Sequence, residues 1–213
     1  MLEQSGKRVL ILAPHTDDGG IGCGGTISKL LHNGCKIYYA AFSICEQSVP
    51  EGFPENVLET EVKAATKVLG IPSDNLFVFK YKVRYFSQYR QDILDDMIEI
   101  RNKIHPDIVF LPCQNDIHQD HGVISAEGLR AFKNSSLLCY EMPWNNLSFS
   151  PAFFTTLEQC HINDKLRALE EYKTQQGIRP YMSRDFIESL ATVRGVQAGC
   201  EYAEAFEVLK WIL

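Results

Sequence analysis

The sequence predicts an α/β protein with a parallel sheet and helices on both of its faces. Three observations predict it. Two apolar runs, Arg8-Val-Leu-Ile-Leu-Ala13 and Asp107-Ile-Val-Phe-Leu-Pro112, have strand length and lack polar alternate positions, as strands covered on both sides require. Amphipathic stretches of helical period lie between such runs. The two signals alternate as β-α-β-α, which is the order that returns each strand parallel to the last.

The elements follow in chain order. The run ending at Ala13 is the first strand. Ile21 to His32 carries Ile21, Ile27, Leu30 and Leu31 at helical spacing, and Asn33-Gly34 is a helix stop. Lys36 to Phe42 reads as a second strand, followed by a Pro- and Gly-bearing loop, Ser48 to Pro54. Glu55 to Leu69 is an amphipathic helix closed by Gly70. Leu76 to Phe79 is a short strand, Gln88 to Ile104 a helix, and the run ending at Pro112 a buried strand. A helix near Val123 to Phe132 and a strand at Leu137 to Glu141 come next. In the last third, Asn163 to Gln176 reads as helix and Ala203 to Leu213 as strand. There is no internal repeat or linker, so residues 1–213 are expected to form one domain.

Composition narrows the function classes. The chain is 45% hydrophobic and 23% charged, as a soluble globular protein is. A net charge of −6 without a Lys/Arg run argues against nucleic acid or an anionic membrane as partner. No apolar stretch approaches the ~20 residues of a membrane span, and the N-terminal apolar run ends at Pro14, too early for a secretory signal. The seven cysteines are scattered, odd in number and without a C-x-x-C pair. They read as reduced thiols of a cytoplasmic protein.

Polar residues gather after two of the strands. Pro14-His15-Thr16-Asp17-Asp18 follows the first strand, and Asn115-Asp116-Ile117-His118-Gln119-Asp120-His121 follows the strand ending at Pro112. Together they hold three of the six histidines and four aspartates. In a 3-2-1-4-5 sheet order these strands are neighbours, and their loops face each other where ligands bind. Two imidazoles and a carboxylate converging there make a three-ligand site with an open position, as in catalytic zinc centres. The first segment also contains a competing signal. Gly20, Gly22 and Gly25 spell G-x-G-x-x-G, the dinucleotide fingerprint, with Glu46 near the end of the second strand in place to meet a ribose. Asp17 and Asp18 would repel a pyrophosphate. An NAD(P)-dependent oxidoreductase therefore stands as the alternative, with a non-catalytic metal- or sugar-binding protein as a third reading.

The two clusters, each after a buried strand, resemble the motifs of the PIG-L (LmbE-like) zinc-dependent de-N-acetylases, Ala-His-Pro-Asp-Asp-Glu and His-x-Asp-His. The likeness continues through Gly22-Cys-Gly-Gly-Thr26, Val83-Arg84, Lys165 to Gln175 and Arg194 to Phe206. It implies a Rossmann-like three-layer fold with a mostly parallel central sheet, and removal of acetyl groups from N-acetylglucosamine-type sugars or their conjugates. It makes His15, Asp18 and His121 the ligands of Zn2+ or another divalent transition metal, and Asp17 the general base. His118 would face the carbonyl oxygen as an imidazolium held by Asp120. It also implies a small-molecule amino-sugar partner and a trimer or hexamer. The chemistry agrees: zinc lowers the pKa of bound water to ~7, and a carboxylate beside the metal moves the proton.

Two positions depart from the pattern. Thr16 replaces Pro, where it is expected to cap the helix turn, and Gly19 replaces Glu, which bears on substrate preference. Arg84, in the aromatic and basic segment Tyr81-Lys-Val-Arg-Tyr-Phe-Ser-Gln-Tyr-Arg90, is a candidate substrate clamp. Tyr140, Pro143 and Trp144 are candidates for a sugar-binding wall or for core. Cys23, near a helix start, reads as a packed thiol. His32, His105 and His161 stand apart at helix ends and read as ordinary solvated or satisfied side chains.

Overall fold

A computed structural model describes residues 5–212. Seven strands form one sheet: β1 (Arg8–His15), β2 (Lys36–Ser43), β3 (Leu76–Val78), β4 (Ile108–Pro112), β5 (Ser136–Tyr140), β6 (Phe153–Leu157) and β7 (Tyr202–Lys210). Among the described residues, six α-helices cover it: α1 (Asp18–His32), α2 (Val57–Leu69), α3 (Arg90–Ile104), α4 (Gln119–Ala131), α5 (Gln159–Leu169) and α6 (Arg184–Ala198). The order is β3-β2-β1-β4-β5-β7-β6. The first five strands are parallel, and β7 runs antiparallel to both neighbours. Strand order reverses between β1 and β4, so the crevice beyond their carboxyl ends is the switch point of the sheet.

Alternation along β1 explains its unbroken apolar character. Val9, Ile11 and Ala13 point to one face, into a core with Ile21, Ile27 and Leu30 of α1 and Ile162 and Leu166 of α5. Leu10 and Leu12 point to the other, against Ile93 and Met97 of α3 and Ile124 of α4.

The glycine-rich start of α1 is explained by close approach. A Cβ at Gly22 would lie 2.5 Å from the Tyr140 ring, and one at Gly25 would lie 2.6 Å from Leu157. The helix is also broken at Cys23 (φ −146°, ψ 24°), which exposes backbone donors in mid-element. Glu204 of β7 receives them, accepting Gly25 N–H at 3.0 Å and Thr26 N–H at 2.7 Å. Lys165 of α5 neutralises the buried carboxylate at 2.7 Å. The Cys23 thiol is buried and donates to the Gly19 carbonyl at 3.1 Å, as packing predicts.

Differences from the expected elements have local causes. α1 begins at Asp18 and α4 at Gln119, earlier than the apolar period indicates, because their first turns carry the polar clusters. α5 starts at Gln159 and stops at Leu169, whereas the sequence predicts helix to Gln176. The chain beyond it bonds elsewhere. Tyr172 O–H donates to the Thr16 carbonyl at 2.6 Å, and Thr174 donates twice to Glu61 of α2. β6 and α6 are additions to the elements expected from sequence. The expected C-terminal strand is β7, and Leu213 lies outside the described residues.

Candidate metal centre and crevice

His15 ends β1, Asp18 opens α1, and His121 lies in the first turn of α4. Their tips form a near-equilateral triangle. His15 Nδ1 is 3.1 Å from Asp18 Oδ2, His121 Nε2 is 3.2 Å from the same oxygen, and the two nitrogens are 3.3 Å apart. Ligands at ~2.0–2.1 Å around a tetrahedral ion stand roughly 3.3 Å from one another, so this donor set fits a zinc-like ion with one face open. His15, His118 and His121 also bring donor atoms within 4.8 Å of each other, a looser set.

Outer carboxylates fix the imidazoles. Asp120 Oδ2 lies 3.1 Å from His15 Nε2, and Asp116 Oδ2 lies 2.7 Å from His121 Nδ1. A neutral ring donating its N–H to these oxygens leaves the opposite nitrogen, the one in the triangle, with a lone pair. Burial alone would push both histidines down, but the carboxylates outweigh it. Asp18 and Asp120 lift His15 to about 9, and Asp18 and Asp116 lift His121 to about 10. Although burial opposes it, Asp18 is held well below the usual carboxylate range by His121 and His15. The cluster is built to hold positive charge. Asp17, the residue before α1, is raised to about 6 by burial and by Asp18.

His118 caps α4, its Nδ1 accepting Asp120 N–H at 3.2 Å. The proton of the neutral ring is therefore on Nε2. Burial, with His15 and His121 nearby, lowers its pKa to about 4, which differs from the imidazolium expected from sequence. The Asp120 carboxylate does not hold His118. It turns toward β1, taking His15, Arg84 N–H at 2.6 Å and Phe86 N–H at 3.4 Å. Thr16 does not cap α1 either; the N-cap residue is Asp17, whose side chain makes no capping bond, and the Thr16 carbonyl accepts the hydroxyls of Tyr39 at 2.9 Å and Tyr172 at 2.6 Å. Beside it, a Cβ on Gly19 would sit 2.7 Å from the Tyr39 ring, so Tyr39 fills the space a longer residue would need.

His15, Asp17, Asp18, His118 and His121 line one cavity of about 340 Å3. Arg84 lines it too, in a left-handed conformation (φ 70°), its guanidinium donating to Ser48 Oγ at 3.0 Å. Trp144 forms a wall with Tyr181, the rings stacked at 3.9 Å and 10°. Tyr140 is core; its hydroxyl donates to the Leu12 carbonyl at 2.9 Å. Sequence reasoning missed Gln175, Arg179 and Tyr181, which reach the cavity from the irregular segment between α5 and α6. The sequence placed Asp116 in the second polar cluster without a role; its position five residues before His121 was the available signal. The glycine fingerprint makes no phosphate cradle, because Gly22, where the backbone would have to meet a pyrophosphate, lies inside α1 against the Tyr140 ring.

A mostly parallel α/β sheet with an imidazole–carboxylate cluster at its switch point defines a Rossmann-like protein with a candidate transition-metal site. The chain belongs to the PIG-L family, whose model, described as GlcNAc-PI de-N-acetylase, matches residues 10–132. It is 28% identical over 187 residues to the uncharacterized deacetylase YaiS of Escherichia coli K12, covering 82% of this chain and 96% of that protein. It is 25% identical to the diacetylchitobiose deacetylase of Thermococcus kodakarensis, covering 97% and 84%. The N,N′-diacetylchitobiose deacetylase of Pyrococcus horikoshii shares the fold, with a TM-score of 0.79 at 21% identity over 95% of this chain and 84% of that one. Among the described residues, no helix is long and apolar enough to cross a membrane.

Proposed function

We propose that this chain is a metal-dependent N-deacetylase acting on an N-acetylglucosamine-type amino sugar or its conjugate. The observation that carries the reading is the triangle of His15 Nδ1, Asp18 Oδ2 and His121 Nε2, with its outer carboxylates Asp116 and Asp120. These three residues would hold the ion, zinc by preference for two nitrogens and a carboxylate oxygen. When bound, it supplies Lewis acidity toward the amide carbonyl and toward water.

The rest is done by side chains. Asp17 lines the cavity next to a ligand without joining the triangle, so its carboxylate takes a proton from the attacking water and returns it to the leaving amine. His118 points its Nε2–H at the carbonyl oxygen as that atom gains charge, a contribution of about 3 kcal/mol for one such donor. Asp120 positions His15 and the Arg84 backbone. The Arg84 guanidinium and the Trp144–Tyr181 stack hold the sugar, the stack taking its apolar face. The deacetylase names of the relatives support the reaction class. Seven cysteines carried as thiols support a reducing, cytoplasmic setting.

The test is acetate release from N-acetylglucosamine and N,N′-diacetylchitobiose by zinc-loaded protein. Turnover that falls at least ~100-fold in Asp17→Asn, with metal content unchanged, is the expected result. Full activity in Asp17→Asn overturns the assignment of the base. Bound metal with no acetate release from any N-acetyl sugar overturns the enzyme reading in favour of a binding protein.

A further inference from the structure

A second group of metal-ligating side chains lies away from the crevice. His32 in the last turn of α1 and Cys160 and His161 in the first turn of α5 bring one donor atom each within 4.8 Å of one another. The two imidazole rings are 5.3 Å apart. Their placement is rigid, because α1 and α5 share the core through Ile27, Leu30, Ile162 and Leu166.

The surroundings suit a cation. Asp164 Oδ2 is 3.7 Å from His32 Nε2 and is itself fixed by Ser28 Oγ–H at 2.6 Å. Glu158 Oε2 is 3.9 Å from Cys160 Sγ. Cys160 is the second residue of α5 and its side chain is exposed, so the sulfur is open to an ion from solvent. His161 Nδ1 accepts Glu158 N–H at 2.9 Å, so that nitrogen already carries a lone pair; ligation through it exchanges the capping bond for a metal bond. Of the nearby cations, Lys29 directs its ammonium to the Thr156 carbonyl and hydroxyl at 2.8 and 3.1 Å, and Arg167 pairs with Asp164 Oδ1, leaving Oδ2 facing His32.

We propose that His32, Cys160 and His161 form a second metal site at the surface. Its two imidazole nitrogens and one thiolate sulfur take Zn2+ or another thiophilic transition ion and leave a coordination position open. It differs in kind from the crevice, whose triangle has no thiolate, and an ion there would clip the end of α1 to the start of α5.

Cobalt(II) separates the two sites, because only thiolate ligation gives an intense near-ultraviolet charge-transfer band. Chelator-treated protein, kept reduced, is titrated with cobalt(II) chloride. The expected result is two cobalt ions per chain, with the near-ultraviolet band accompanying one of them. Cys160→Ser should lose that band and one ion, and His32→Ala should weaken the same ion's binding at least tenfold. Both positions are exposed, and both variants should keep the visible cobalt bands of the crevice and the wild-type circular dichroism. Absence of the band in the wild type overturns the proposal. So does a band that survives Cys160→Ser, which would assign the thiolate to another cysteine such as Cys45 at the crevice wall. A crevice that binds no cobalt leaves the Cys160 band standing, so the two claims fall separately.

Discussion

Asp116→Asn replaces one oxygen by an NH2 group, and the hydrogen bonds of the wild type say what that removes. Asp116 uses both oxygens: Oδ1 accepts His118 N–H at 2.8 Å, and Oδ2 faces His121 Nδ1 at 2.7 Å. Asparagine has one acceptor and one donor end. With its oxygen kept on His118 N–H, its NH2 meets His121 Nδ1 and makes that nitrogen an acceptor. The ring proton then sits on Nε2, the atom aimed at His15 and Asp18. With the oxygen turned to His121 instead, two N–H donors collide at His118 in a site where the side chain is 0% exposed. Neither orientation restores the negative charge behind the proposed ligand His121. Outer carboxylates of this kind carry about 10–100-fold in metal affinity, or roughly 1.4–2.7 kcal/mol. The assay is competition between the protein and a chromophoric chelator for zinc. A Kd raised by about 10–100-fold is expected, and a change below about twofold refutes the orienting role of Asp116.

Other perturbations give separate readings. Lys165→Met leaves the buried Glu204 carboxylate with backbone donors alone. Breaking such a pair costs about 3–5 kcal/mol, a Tm lowered by roughly 6–20 °C at ~2–4 °C per kcal/mol for this chain length. Calorimetry should also show Lys165→Met/Glu204→Gln recovering part of that loss; an unchanged Tm in the single variant would mean the ion pair is not formed. Gly19→Ala drives a methyl to 2.6 Å from Ile11 and 2.7 Å from Tyr39, and overpacking of this kind costs about 1–3 kcal/mol. It should lower both Tm and turnover, because Tyr39 holds the carbonyl that precedes Asp17; wild-type values for both would show the ring is free to move. Trp144→Ala should raise KM for an N-acetyl sugar with little change in kcat. An unchanged KM would remove the Trp144–Tyr181 stack from the substrate site.

The parallel half of the sheet was legible because β1 and β4 are buried on both faces and therefore carry no polar interruption. Their adjacency followed from crossover order alone, and with it the meeting of His15 and His121. The antiparallel end was not legible. α6 buries little beyond Ile187, Ala191 and Gly195 while exposing Val193 and Val196, so its apolar period is blurred. β6 has five residues, two of them threonine, and draws its definition from pairing with β7. Within the site, residue types and spacing pointed to a metal but not to which carboxylate backs which imidazole. Asp120 is next to His121 in the chain, yet its side chain crosses to His15 because its own amide is committed to capping by His118. The break at Cys23 and its partner Glu204 lie 181 positions apart and share no local signal. Arg179 and Tyr181 belong to a segment without periodicity, where only the assembled crevice gives them a role.

Asp120 accepts the main-chain amides of Arg84 and Phe86 with the same carboxylate that steadies His15. Whatever tugs on that loop therefore tugs on an imidazole of the proposed metal triangle. A swap of the loop between relatives to change sugar preference would carry a hidden toll on metal retention. Under the proposed function, selectivity and metal loading would have to be tuned together, through one aspartate.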